Sequence, residues 1–180
     1  MFVALDYAYL QDLNLERYKT SAPIYCIEQN QSKQIDEFLE IIGYIESHNG
    51  KYTNHKKIKE GIHKGHRAAG VYGLMPNTIK EILNYFLIDG CDRKHFDELI
   101  NSDDPKFIKK YTEDNPKIER ALARRLAKKV LLDTNYNEEK AAYMWFMGHN
   151  LSQERVEEKY KDHFYVKRFR KFRDRLRDGQ

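Results

Sequence analysis

The chain has 180 residues, 41% of them hydrophobic and 33% charged, a balance that fits one globular domain with a real core and excludes a disordered chain. Its formal net charge of +4 and pI of about 8.9 suit a polyanionic partner without choosing among nucleic acid, anionic lipid and bacterial cell wall. No apolar run approaches the ~20 residues of a membrane span, and the opening MFVALDYAYLQDLNLERY lacks the basic and apolar regions of a secretory signal.

Residues 1–30 read as an added N-terminal segment. Two cysteines, Cys26 and Cys91, are too few for a disulfide scaffold and are expected as free thiols. In SKQIDEFLEIIGYIE, Ile35, Phe38, Leu39, Ile42 and Ile45 recur at helical spacing. Ser32 is placed to cap this helix, and Asn49-Gly50 is a turn signal that stops it between Ser47 and Gly50. Periodicity is then lost from Lys51 to Tyr72. This stretch carries Gly61, Gly65 and Gly70 and reads as a long loop with room for a short β-hairpin; loops of such length in a compact domain are usually functional or disordered.

Helix resumes at PNTIKEILNYFLIDG, where Thr78 and Glu81 have capping-box spacing, Ile79, Ile82, Leu83 and Phe86 form an apolar stripe, and Gly90 is placed to end it. DRKHFDELINS and DDPKFIKKYTE read as short helices. DNPKIERALARRLAKKVLLDT reads as a long one, with Asn115 as cap, Pro116 in first position and Ile118, Leu122, Leu126 and Val130 on one face. NEEKAAYMWFMGHN is apolar on most sides and reads as a central helix. Leu151 to Arg177 is helical and basic, with a break near His163. The expected fold class is mainly α, a single domain over residues 1–180.

The most informative residue is Glu46, a carboxylate on the last turn of the first helix. Unpaired carbonyls make that end partially negative, which disfavours an ionised carboxyl. Apolar neighbours such as Ile45 add desolvation, which also favours the protonated acid. A protonated carboxyl beside a polar groove can give its proton to a leaving glycosidic oxygen. Local pattern leaves two readings open: a solvated glutamate at a helix end, or an acid at the lip of a cleft.

Three segments bear on the choice. ESHNGK, Glu46 to Lys51, resembles the stretch around the catalytic glutamate of goose-type lysozymes and soluble lytic transglycosylases. YGLMPNT, Tyr72 to Thr78, resembles the Gly-Leu-Met segment that follows it there. MWFMG, Met144 to Gly148, falls where the family carries Ala-Tyr-Asn-x-Gly on a late helix. The resemblance spans roughly Ile35 to Phe169. It implies a lysozyme-like α domain with a long loop or small β-hairpin after the catalytic helix. It also implies cleavage of peptidoglycan at the β-1,4 bond following N-acetylmuramic acid. Glu46 would be the general acid. Ser47, Tyr72, Gly73, Leu74, Met75 and Trp145 would lie along the sugar, with Tyr72 also placed to hold Glu46. Against this, Ser47 more commonly bonds backbone at a helix end, Tyr72 is nearly as often a packed core tyrosine, and Leu74 and Met75 are more often core than contact. Two departures stand out: Pro76 replaces the family's glutamine, and Trp145-Phe146 replaces its Tyr-Asn pair.

For the second step, a muramic 6-hydroxyl can attack C1 with Glu46 as base, or a second carboxylate can activate water from ~6.5–9.5 Å away. Glu60, the acidic residue of the long loop, is the candidate base, against the reading that it pairs with nearby lysines. His48, His55, His63 and His66 lie close in sequence, but no pair has i, i+4 spacing on a helix, so no metal and no cofactor are expected. YVKRFRKFRDRLRDG reads as an amphipathic terminal helix, aromatic side on the core and basic side in solvent, rather than as a nucleic-acid binder. A virion or partner protein is an open alternative for docking there. A wall-cutting enzyme without a visible export signal is expected to reach the wall through phage delivery, through release at lysis, or by an export signal outside this sequence.

Overall fold

The structure is a computed structural model that describes residues 32–59, 64–86 and 96–178. It is mainly α, as the periodicity predicts. In chain order the helices are α1 (Ser32–Ser47), α2 (Pro76–Phe86), α3 (Asp97–Asn101), α4 (Pro105–Asp114), α5 (Pro116–Asp133), α6 (Glu138–Met147), α7 (Gln153–Lys159) and α8 (Phe164–Asp178). Cys26, Cys91, Glu60, Gly61, His63 and Gly90 lie outside the described residues.

The predicted stripe of α1 is the one that is buried: Ile35, Phe38, Leu39, Ile42 and Ile45 all face the core. Each such side chain removed from water contributes about 1.5–3 kcal/mol. α1 packs on α5 and α8, and α6 packs on the same two helices, so these four form the centre of the molecule. α5 also meets α2 and α4. It buries more than the one face expected from Ile118, Leu122, Leu126 and Val130. Ala121, Ala123 and Ala127 are buried too, because small side chains let neighbouring helices close on other sides.

Helix ends follow local chemistry with two corrections. α1 ends at Ser47, after which His48, Asn49 and Gly50 take left-handed φ of 53°, 54° and 90°. Pro116 does open α5, but Asn115 makes no side-chain cap bond there; its Nδ2 instead donates to the Tyr111 carbonyl at 2.7 Å. Thr78 is not a cap either. Helix α2 already begins at Pro76, whose fixed φ suits a first position. Ile79, Ile82 and Leu83 are buried as expected, while the side chain of Phe86, like that of Ser32, lies outside the described set.

The segment between α1 and α2 is described over residues 48–59 and 64–75, and there it is a loop. Among the described residues it forms no strand and holds one antiparallel bridge, Ala69 with Leu74. Two bonds of 2.8 and 3.1 Å between those residues close a tight turn over positions 70–73. Lower in the loop, Ile58 N–H donates to His66 and Gly65 N–H donates to Ile58. The break before α8 falls at His163, as read from the sequence.

Candidate active site

Glu46 stands at the meeting point of α1, the 69–74 turn and the start of α8. It is half-buried. Tyr165, in the first turn of α8, donates its hydroxyl hydrogen to Glu46 Oε1 at 2.6 Å. The other oxygen faces Gly73: a Cβ at that position would stand 2.6 Å from Glu46 Oε2. Gly73 also has φ of +65°, so glycine is required there twice over, by backbone conformation and by closeness to the acid. Burial raises the Glu46 pKa above the ordinary carboxylate value; the Tyr165 hydrogen bond and the charges of His55 and Arg168 oppose that rise without cancelling it. The result is a carboxyl whose pKa is raised, bonded at one oxygen by a neutral donor and covered at the other by Gly73.

Behind the turn lies a second acid. Glu119 of α5 is 3% exposed. It accepts the Tyr72 N–H at 3.0 Å and also the Val71 N–H. Burial raises its pKa as well, against those two hydrogen bonds. The preceding amide, Gly70 N–H, donates to Glu113 at 3.3 Å. Gly70 has φ of +61°, and any Cβ there would overlap the Glu119 carboxyl. His55 Nε2 meets the Gly70 carbonyl at 2.7 Å. A carbonyl only accepts, so that nitrogen carries the hydrogen.

On the far side of Tyr165 the surface is aromatic. Phe146 stacks on the Tyr165 ring at 4.7 Å, and Phe164 meets Phe146 edge-on at 5.1 Å. Both are exposed, at 45% and 62%. His163 completes the group against Phe146 and Phe164.

The residues predicted to lie along a sugar divide into several groups. Glu46 and Gly73 meet directly, and Met75 is half-buried on the same segment. Ser47 is fully buried: its hydroxyl donates to the Gly43 carbonyl and accepts the Gly50 N–H at 2.8 Å, so it serves the helix end and cannot reach a ligand. Leu74 is a core residue at 1% exposure, the commoner of its two readings, and not a contact along the groove. Trp145 turns inward and packs edge-on against Phe38, leaving Phe146 as the exposed ring. Tyr72 lies beside Gly43, with its hydroxyl in the field of Arg120, Glu119, Asp36 and Arg124 rather than on Glu46. Burial raises its pKa first, those charges modifying the rise. The hold on Glu46 expected of Tyr72 is made by Tyr165 instead. Glu60 lies outside the described residues.

Sequence reading missed Tyr165 and Glu119. The signal for Tyr165 is its place just after the break at His163, where a helix start points into the molecule. Glu119 has a fainter one: a carboxylate between Ile118 and the apolar Ala121-Leu122 pair. Four of the seven basic residues of the tail are paired within the chain. Arg170 and Arg173 bind Glu139, Arg177 binds Glu138 and Lys167 binds Asp162, while Phe169 is buried on the core. No protein-family model, curated protein or solved structure gives a significant match to the chain.

Proposed function

We propose that this protein is a muramidase that cleaves peptidoglycan at the β-1,4 bond between N-acetylmuramic acid and N-acetylglucosamine, with Glu46 as general acid. The observation that carries the reading is the half-buried Glu46 carboxyl, kept toward its protonated form by burial and aimed by the Tyr165 hydroxyl at 2.6 Å. An acid must hold its proton near working pH and have a fixed direction in which to give it. Gly73 lets the turn close on the Glu46 carboxyl, and the exposed rings of Phe146 and Phe164 offer apolar faces against which pyranose C–H groups pack.

In the proposed first step the glycosidic oxygen takes the Glu46 proton as the C1–O bond breaks, leaving an oxocarbenium-like centre. In the second, the muramic 6-hydroxyl adds to C1 and loses its proton to the Glu46 carboxylate, giving a 1,6-anhydro end. This route needs one carboxylate. With water in place of the hydroxyl, a second carboxylate is required, and Glu60 is the candidate. The proposed working place is the bacterial wall, reached in a phage particle or at lysis.

Mass spectrometry of peptidoglycan digested by wild type and by Glu46→Gln tests the proposal. Anhydromuramic ends from wild type alone mean transglycosylation, and reducing muramic ends mean hydrolysis. Absence of Glu46-dependent cleavage on acetylated and deacetylated glycan would leave a binding protein on a helical scaffold.

A further inference from the structure

We infer that Glu119 is a positioning residue for Glu46: its buried carboxyl pins the Gly70–Gly73 turn from behind by accepting the Val71 and Tyr72 N–H groups, and the pinned turn holds the Gly73 backbone against the Glu46 carboxyl. The inference rests on the reading of Glu46 as the acid.

The geometry is a clamp with an acid on each side. The turn is six residues long from Ala69 to Leu74, closed by their paired backbone bonds. Its two inner glycines are each pressed on a different carboxyl, Gly70 on Glu119 and Gly73 on Glu46. Three successive amides, of residues 70, 71 and 72, donate to carboxylates of α4 and α5. Successive N–H groups of this kind form an anion-binding concavity, and here the anion comes from the chain itself. Glu119 is nearly sealed from solvent, so leaving those amides unmet would cost the turn its position. The charges felt at Glu46 are those of His55 and Arg168. A change at Glu119 therefore reaches Glu46 through the turn, by altering how closely Gly73 covers it.

The test is a carboxyl-carbon NMR titration of Glu46 in the wild type and in Glu119→Gln, with Glu46→Gln to assign the signal. Glutamine is isosteric but presents an amide where one carboxylate oxygen accepted a backbone N–H. The expected result is a folded variant, by circular dichroism, whose Glu46 midpoint falls toward the ordinary carboxylate range as water enters. On peptidoglycan the same variant should lose roughly 10-fold to 100-fold in kcat at unchanged KM. An unchanged Glu46 midpoint in a folded variant overturns the inference. Should the variant fail to fold, the wild type decides. The Val71 and Tyr72 amide protons must move with the Glu119 midpoint, and their indifference to it overturns the inference. A wild type that cleaves no glycan at all defeats the muramidase reading, while the titration still reports on the clamp.

Discussion

Helix α8 holds two carboxylates in opposite ways. Near its start, Tyr165 offers Glu46 a neutral hydroxyl within a buried pocket, and burial keeps the acid's pKa high. Further along the same helix, Arg170 and Arg173 grip Glu139 with guanidinium bonds of 2.6 to 3.0 Å, and those cations pull its pKa below the ordinary range. Both glutamates are tied to α8, yet one is built to keep a proton and the other to shed it. What separates them is the charge of the donor and the access of water. A neutral donor leaves desolvation in command, whereas a cation near solvent overrides it. The first arrangement is useful for chemistry and the second for holding α6 to α8.

The contrast breaks most sharply at Glu46 itself. Glu46→Gln is expected to lower peptidoglycan cleavage by at least ~10²-fold, measured as solubilised muropeptides, with the fold intact. The equivalent change at Glu139 should leave cleavage nearly untouched; equal losses would defeat the distinction. Gly73→Ala comes next. It forces a side chain into a left-handed position and against Glu46, and denaturant unfolding should show a loss of about 2–4 kcal/mol. A neutral outcome would mean that the turn is not packed on the acid.

Tyr165→Phe removes the hydroxyl and keeps the ring that stacks on Phe146. It should cost about 1–2 kcal/mol. Because the lost bond favoured the ionised acid, the Glu46 pKa should rise further, and the alkaline limb of the pH–rate profile should move to higher pH. A downward move would contradict the assignment of donor and acceptor.

The smallest effects are in stability against pH. Glu46 and Glu119 have folded pKa values raised above 4.5, so their contribution is most favourable below that pH and is lost as pH rises through the folded values. Glu139 has a lowered one, so its contribution is present above 4.5 and is lost as pH falls through its folded value. Glu139→Gln should therefore cost about 1 kcal/mol at neutral pH and almost nothing in strong acid. Glu119→Gln should flatten the decline on the neutral side. Thermal melts across pH read both slopes, and matching slopes would erase the comparison.

Much of the fold was legible in advance. The stripe of α1, the stop at Asn49-Gly50, the proline start of α5 and the break at His163 all follow from periodicity and backbone chemistry within a few residues. Glu46 is singled out by the resemblance of its segment to a family's catalytic stretch, since the helix end alone leaves a solvated carboxylate open. Sequence reading misplaces Trp145, and leaves Ser47 and Leu74 between groove and core, for the complementary reason. A residue's neighbours in sequence do not say whether its side chain turns to the groove or the core. The Glu46–Tyr165 pair spans 119 residues and the Glu119–Tyr72 bond 47. No spacing rule links such positions.

The sequence by itself determined the helical class and most helix limits, because these depend on side-chain period and on glycine and proline backbone preferences. Tertiary structure decided the rest. It chose Tyr165 rather than Tyr72 as the partner of Glu46, exposed Phe146 instead of Trp145, and set Glu119 behind the turn. Those outcomes depend on which helices cross and how closely, and burial, which tunes both acids, exists only once they have.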